Sequence, residues 1–291
     1  MQSSKENKIY LPNIKFPKNI KFFSSLEESL HGSEKICIAL PSNCFRDILK
    51  KIQHIITKNT KIFWATKGFE AGSGKLPHVI CEEVLGTINN MAVISGPSFA
   101  IEVAQKKPTA LTVASDNIKF ADEIAHDLSN INFRAYTSND VIGVEVGGAV
   151  KNIVAIGAGI SDGLNYGDNA KIALINRGLV EMQRLGVALG ANKNTFFGLS
   201  GMGDLVLTCT SNLSRNRRLG LAIAEGQSIS KFKSETKQVV EGFHATSAVY
   251  QLSKKIGIDM PICDTIYQIL VEKINPQNAA ALLMSRALQN E

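Results

Sequence analysis

Chemistry in this chain starts with a lysine set among apolar residues. Lys151 lies in the apolar run over residues 149–156, where an unpaired ammonium is costly to bury. It needs a partner or a lowered pKa. A desolvated lysine that is neutral near physiological pH can take the proton of a substrate hydroxyl, the task of a general base in alcohol oxidation. Snorkelling past the neighbouring glycines to the surface would satisfy the same side chain equally well. Asn152 beside it is either a hydrogen-bonding helper or a packing residue. Asp204, in Gly201-Met202-Gly203-Asp204-Leu205, can orient the lysine, accept a bond from a substrate hydroxyl or cap a helix. In Ser214-Arg215-Asn216-Arg217-Arg218, hydroxyl, guanidinium and amide groups meet at an apparent helix start, which suits phosphate. The same arginines could contact nucleic acid, but no aromatic-interleaved basic stripe accompanies them, so a small phosphate ligand is favoured.

These residues need a scaffold. Short β-branched runs over residues 20–23, 35–40, 61–65, 92–95, 110–114 and 133–136 read as strands, several continuously apolar, as in a mostly parallel sheet covered on both faces. Helical stretches alternate with them. Ser24 or Ser25 can cap one, Ser42 or Asn43 a second running to Ile56, and Asn117 a third over residues 118–129. Two strand ends are polar: Ala65-Thr66-Lys67-Gly68 and Ser95-Gly96-Pro97-Ser98-Phe99-Ala100. Ligands of open parallel sheets sit at such carboxyl ends, where Lys67 could pair with phosphate. A solvated turn lysine and ordinary turn chemistry account for the same residues. After about Ser138 the texture becomes helical, with segments over residues 141–158, 169–189, 215–224, 246–256, 264–271 and 276–289, and loops over 195–203 and 212–214. The expected architecture is an α/β nucleotide domain over residues 1–139 followed by an all-α substrate domain over residues 140–291, which the resemblance given below makes a dinucleotide-binding domain and a substrate-binding and catalytic one.

Composition excludes several other functions. The 291 residues are 44% hydrophobic and 20% charged, enough apolar content for a large core. The net charge of +6 suits anionic small molecules as readily as nucleic acid. Cys37, Cys44, Cys81, Cys209 and Cys263 form no C-x-x-C pair, and the five histidines show no H-x-x-x-H spacing, so neither a disulfide framework nor a metal centre is expected. The scattered thiols and a polar start without an apolar signal region suggest the cytoplasm. Gly68-Phe69-Glu70-Ala71-Gly72-Ser73-Gly74-Lys75 misses the P-loop spacing and has Leu76 where Ser or Thr is required. Residues 157–163, GAGISDG, miss G-x-G-x-x-G by one residue and read as close helix packing and a helix end. Residues 141–160 are long enough to span a bilayer, yet Glu145, Lys151 and five glycines fit a buried helix better.

Taken together, ATKG (65–68), SGPSFA (95–100), IGVEVGGAVKNIVAIGAGISDG (142–163), LSGMGDLVLTCT (199–210), SRNRR (214–218), QVVEG (238–242) and MPICDTIY (260–267) closely resemble the bacterial NAD(P)-dependent glycerol-3-phosphate dehydrogenases. The resemblance runs from about Asn7 to the C-terminus. It implies a Rossmann-like first domain, NAD or NADP as cofactor, and interconversion of sn-glycerol 3-phosphate and dihydroxyacetone phosphate, which supplies the phospholipid backbone. By the same resemblance Lys151 is the proton acceptor in the oxidative direction. Lys67, Gly96, Ser98, Asp204, Ser214, Arg215 and Asn216 match substrate-binding positions, and Lys67, Ala100, Arg215, Val239 and Glu241 match cofactor-binding ones. No nucleic-acid partner and no membrane span are expected, and a homodimer is compatible with the family.

One departure stands out. The family opens with a strand, a G-x-G-x-x-G turn and a helix that receive the cofactor pyrophosphate, and the likeness here begins after that unit. The expectation is therefore a first domain short by at least ~30 residues and impaired turnover from these 291 residues alone. An upstream start codon is one explanation. A non-catalytic binder of phosphorylated metabolites, or a partner subunit, is the alternative.

Overall fold

The computed structural model describes residues 4–86, 90–236 and 239–285. Gln238 and the tail of the helix expected to reach Gln289 lie outside the described residues. Near the N-terminus, β1 (Glu6–Asn7) and β2 (Leu11–Lys15) form an antiparallel hairpin. The strand expected over residues 20–23 does not form: the segment pairs with no strand among the described residues, and Ile20 and Phe23 are exposed. Ser25 caps α1 (Leu26–Leu30), accepting from the Glu28 amide at 3.2 Å.

Five strands build the main sheet in chain order: β3 (Lys35–Ile38), β4 (Lys61–Trp64), β5 (Met91–Ser95), β6 (Thr109–Ala114) and β7 (Phe133–Ser138). β3, β4 and β5 are mutually parallel, β5 and β6 antiparallel, and β6 and β7 parallel. The antiparallel step has a local cause. The only helix between β5 and β6 is α4 (Ala100–Ala104), about 7 Å long against about 16 Å for a five-residue strand, shorter than the crossover helix that parallel neighbours usually take. The carboxyl ends of β3, β4 and β5 consequently share one edge. Helices cover both faces: α2 (Phe45–Ile52) and α3 (Pro77–Leu85) set Phe45, Leu49, Ile52 and Ile80 against Ile36, Ile62 and Trp64. On the other side α5 (Ile118–Leu128) packs Phe120 and Ile124 on Leu111 and Val113.

Two capping expectations resolve differently. Ser42 begins a single 3₁₀ turn, Ser42–Cys44, ahead of α2, and its hydroxyl is used elsewhere. Asn117 sits at the N-cap of α5, but its Nδ2 donates to Asn90 Oδ1 at 3.2 Å.

From Val141 onward the described residues contain helices and turns only: α6 (Val141–Gly163), α7 (Gly167–Ala188), α8 (Asp204–Thr210), α9 (Arg215–Ala224), α10 (Ile229–Thr236), α11 (Glu241–Ile256), α12 (Pro261–Tyr267) and α13 (Pro276–Met284). α12 starts at Pro261 rather than Asp264, because a proline at the first helical position loses no hydrogen bond. α11 likewise starts five residues before the expected Thr246, at Glu241. The 23-residue α6 is the axis of this half; its most apolar stretch is 94% buried, packed by α7, α8, α9, α11 and α12. Its glycines make that possible. A Cβ at Gly159 would lie 1.9 Å from Arg217 O, and one at Gly220 would lie 2.0 Å from Ile156 O, so α6 and α9 touch backbone to backbone.

Candidate active site

Three elements deliver three charged groups to one point. Lys151 projects from α6, Lys67 from the loop leaving β4, and Asp204 from the first turn of α8. Lys151 Nζ donates to Asp204 Oδ1 at 2.5 Å and to Thr208 Oγ1 at 3.0 Å. Lys67 Nζ donates to Asp204 Oδ2 at 2.7 Å and to Gly96 O at 3.2 Å. One carboxylate thus bridges two ammoniums.

Local sequence explains each placement. Gly148 leaves a bare patch on α6, where a Cβ would sit 3.4 Å from Lys67 Cγ and Cδ, so the lysine shaft passes across it. A π-helical turn over Leu199–Gly203 precedes Asp204 and sets where α8 begins, and such irregular turns cluster at functional sites. Gly96 has φ +150°, and a Cβ there would collide with Leu111, so only glycine lets β5 exit beside β6 with its carbonyl turned to Lys67. Ser98 Oγ donates to the same carbonyl at 3.1 Å.

Electrostatics lowers the pKa of Lys151. Burial, with the Lys67 charge adding to it, pushes its pKa down to about 8 against the pull of Asp204. Burial pushes Asp204 upward, but the two ammoniums hold its carboxyl below the ordinary aspartate value. A substantial fraction of Lys151 is therefore neutral at mildly alkaline pH.

The structure assembles the other expected residues unevenly. Asn216 Nδ2 donates to Asn152 Oδ1 at 2.8 Å, and Asn216 Oδ1 accepts from the Gly242 amide at 3.0 Å, joining α6, α9 and the start of α11. Ser214 is buried and caps α9, accepting from the Arg217 amide at 3.2 Å. Glu241 accepts from Ser42 Oγ at 2.7 Å, which ties α11 to the carboxyl end of β3. The three arginines separate: Arg217 is paired with Asp162 at 2.6 Å, while Arg215 and Arg218 are exposed with no ion pair among the described residues. No hydrogen bond or ion pair among the described residues joins Ala100, Val239 or Arg215 to the lysine–aspartate cluster. The sequence leaves two residues of this region unmarked: Thr208, signalled only by its place four residues after Asp204 on a helix, and Ser42, whose local pattern offers only a cap.

Family models match nearly the whole chain. The one described as NAD-dependent glycerol-3-phosphate dehydrogenase N-terminus covers residues 1–121, and its C-terminus counterpart covers residues 140–281. The chain belongs to the NAD-dependent glycerol-3-phosphate dehydrogenase family. It is 47% identical over 286 residues to the glycerol-3-phosphate dehydrogenase [NAD(P)+] of Aeromonas salmonicida, covering 98% of this chain and 86% of that protein. The enzyme of the same description from Bartonella tribocorum is 47% identical over 292 residues, covering 100% of this chain and 87% of that protein. The crystal structure of glycerol-3-phosphate dehydrogenase from Coxiella burnetii superimposes with a TM-score of 0.95 at 44% identity, over 98% of this chain and 87% of that one. This family member carries the α/β domain and the helical domain of those structures.

Proposed function

We propose that Lys151 is the proton acceptor when glycerol 3-phosphate is oxidised to dihydroxyacetone phosphate, and the proton donor in reverse. The observation that carries this is the cluster of buried Lys151 and Asp204 with half-buried Lys67 at the edge where three parallel strands end, with Lys151 depressed to about 8. In the oxidative direction neutral Lys151 Nζ takes the hydroxyl proton, and Asp204 holds the resulting ammonium. Lys67, Ser214, Arg215 and Asn216 supply cationic, hydroxyl and amide groups for the substrate, with Gly96 and Ser98 forming the wall beside Lys67. Thr208, donating to Asp204 O at 2.6 Å, keeps its oxygen toward Lys151.

The residues present fit a dinucleotide at this edge. A Cβ at Gly68 would lie 2.9 Å from Ser42 and 3.3 Å from Glu241 Oε2, so a bare backbone lines the junction of the β3 and β4 ends with α11. Lys67, Ala100, Arg215, Val239 and Glu241 would hold NAD or NADP there. When bound, the nicotinamide supplies or accepts the hydride.

The division at residues 139 and 140, a homodimer, a cytoplasmic location and a role in supplying glycerol phosphate for phospholipids belong to the same proposal. The test is dihydroxyacetone-phosphate-dependent oxidation of NADH and NADPH, with Lys151→Met as the paired variant. The variant is expected to lose ~10²–10⁴-fold in kcat while calorimetry still registers glycerol 3-phosphate. Undiminished turnover in Lys151→Met removes the lysine from the chemistry, and glycerol phosphate binding without any turnover in the unmutated chain favours the non-catalytic binder.

A further inference from the structure

One buried carboxylate has no part in the contacts above. Glu145, on α6, is 4% exposed. Its Oε1 accepts from Trp64 Nε1 at 3.0 Å and from the His78 amide at 3.1 Å, and its Oε2 meets His78 Nδ1 at 2.5 Å. These partners come from β4 and from the first turn of α3. Trp64 ends β4 three residues before Lys67, and Glu145 precedes Lys151 by six residues, about 9 Å along the helix. The same carboxylate therefore ties the strand that delivers Lys67 to the helix that delivers Lys151. Both lysines terminate on Asp204, so the placement of β4 against α6 sets the spacing of two ammoniums around one carboxylate. Phe45, Val141 and Val144 pack in the same cluster as Trp64, but apolar contact is non-directional, whereas hydrogen bonds fix register and angle.

We propose that Glu145 and His78 are a positioning pair that, acting through Trp64, sets the Lys67–Asp204–Lys151 geometry. The inference rests on the reading of Lys151 as the proton acceptor. A buried carboxylate is an expensive way to join two elements, and removing its partner leaves a charge uncompensated. Burial raises the Glu145 pKa while His78, Trp64 and the His78 amide pull it down. Burial opposes charging His78, yet the Glu145 hydrogen bond and charge, with Glu82 and Asp116 adding to them, leave it above the ordinary imidazole value. Cys81, the other titratable group drawn into this field, is pushed up to about 12 by burial and then by Glu145 and Glu82, and it stays a thiol. The pair holds its proton to a higher pH than an ordinary imidazole would.

Trp64 is the sole tryptophan, so its emission reports on the pair directly. The experiment compares the unmutated full chain with Glu145→Gln and His78→Gln, two near-isosteric changes that keep the volume. Each variant is expected to lose about 10–100-fold in kcat, to displace the acid limb assigned to Lys151 in the pH profile, and to abolish an imidazole-like step in Trp64 emission. A merely structural pair would lower stability and leave the acid limb in place; that result overturns the proposal. An emission step that persists in His78→Gln overturns it as well. Where turnover is absent, the pH dependence of Lys151 acylation, read by mass spectrometry, takes the place of the acid limb: a profile displaced in both variants upholds the positioning pair even if Lys151 is not the proton acceptor, and an undisplaced one overturns it.

Discussion

Replacing Asp204 by asparagine removes the one anion between two ammoniums while keeping the side-chain volume. The contacts at stake are 2.5 Å to Lys151 and 2.7 Å to Lys67. At an effective dielectric constant of about 20, each pair is worth on the order of 6–7 kcal/mol of gross attraction. Most of that gross attraction is offset by the cost of taking both charges out of water. What remains can be read on Lys151. An opposite charge at this range shifts a pKa by about 1–3 units, so loss of the carboxylate moves the Lys151 pKa from about 8 to roughly 5–7. The acid limb of kcat/KM for glycerol 3-phosphate oxidation, followed by absorbance of the reduced nicotinamide, moves down by the same amount. Folding stability falls by about 3–5 kcal/mol, the usual cost of removing one member of a buried pair. This part of the stability is present above the ordinary aspartate pKa, because the folded value is lowered, and it vanishes as acid protonates Asp204. If turnover drops below detection, the pH dependence of Lys151 acylation, read by mass spectrometry, reports the same displacement. An acid limb or acylation profile that stays near its unmutated position would refute Asp204 as the counter-charge.

Two other outcomes follow from the structure. Arg215→Ala raises KM for dihydroxyacetone phosphate by ~10–100-fold, the loss of one charge-assisted hydrogen bond, with unchanged urea stability, whereas Arg217→Ala breaks the ion pair with Asp162 and lowers stability; the reverse assignment of effects refutes the separation of the two arginines. Glu181 is pushed up to about 7 by burial, against the Ile262 and Cys263 amides that donate to it. Because the folded pKa is raised, this stability is full below the unfolded value of about 4.5 and is lost as pH rises through about 7, amounting to about 3 kcal/mol. Urea midpoints of the unmutated chain should fall over that window relative to Glu181→Gln, and parallel pH profiles would refute it.

Much of the scaffold was legible in the residues. Apolar runs such as Ile36-Cys37-Ile38 revealed the strands, and the change of texture after Ser138 revealed the helical half, because periodicity reports burial and local hydrogen bonding. The exceptions are instructive. The segment Ile20-Lys21-Phe22-Phe23 formed no strand, since a strand requires a ladder partner that the segment's own sequence does not encode. The antiparallel step between β5 and β6 followed from a short connection, and sequence pattern does not report direction.

The amino-acid sequence by itself set Lys151 among apolar residues, where it either finds a partner or snorkels to the surface, and its motifs carried the family. Only the tertiary structure decided which partner. Asp204 lies 53 residues from Lys151 and 137 from Lys67, separations over which no local periodicity carries information. The same is true of Glu145, which the sequence offered only as an argument against a membrane span and which the fold places between His78 and Trp64. It also holds for the arginines after Ser214, alike in sequence and divided by the fold into Arg217, held by Asp162, and Arg215 and Arg218, exposed with no ion pair among the described residues. Burial can be read from a neighbourhood in the chain, but charge pairing depends on which elements the core brings into contact.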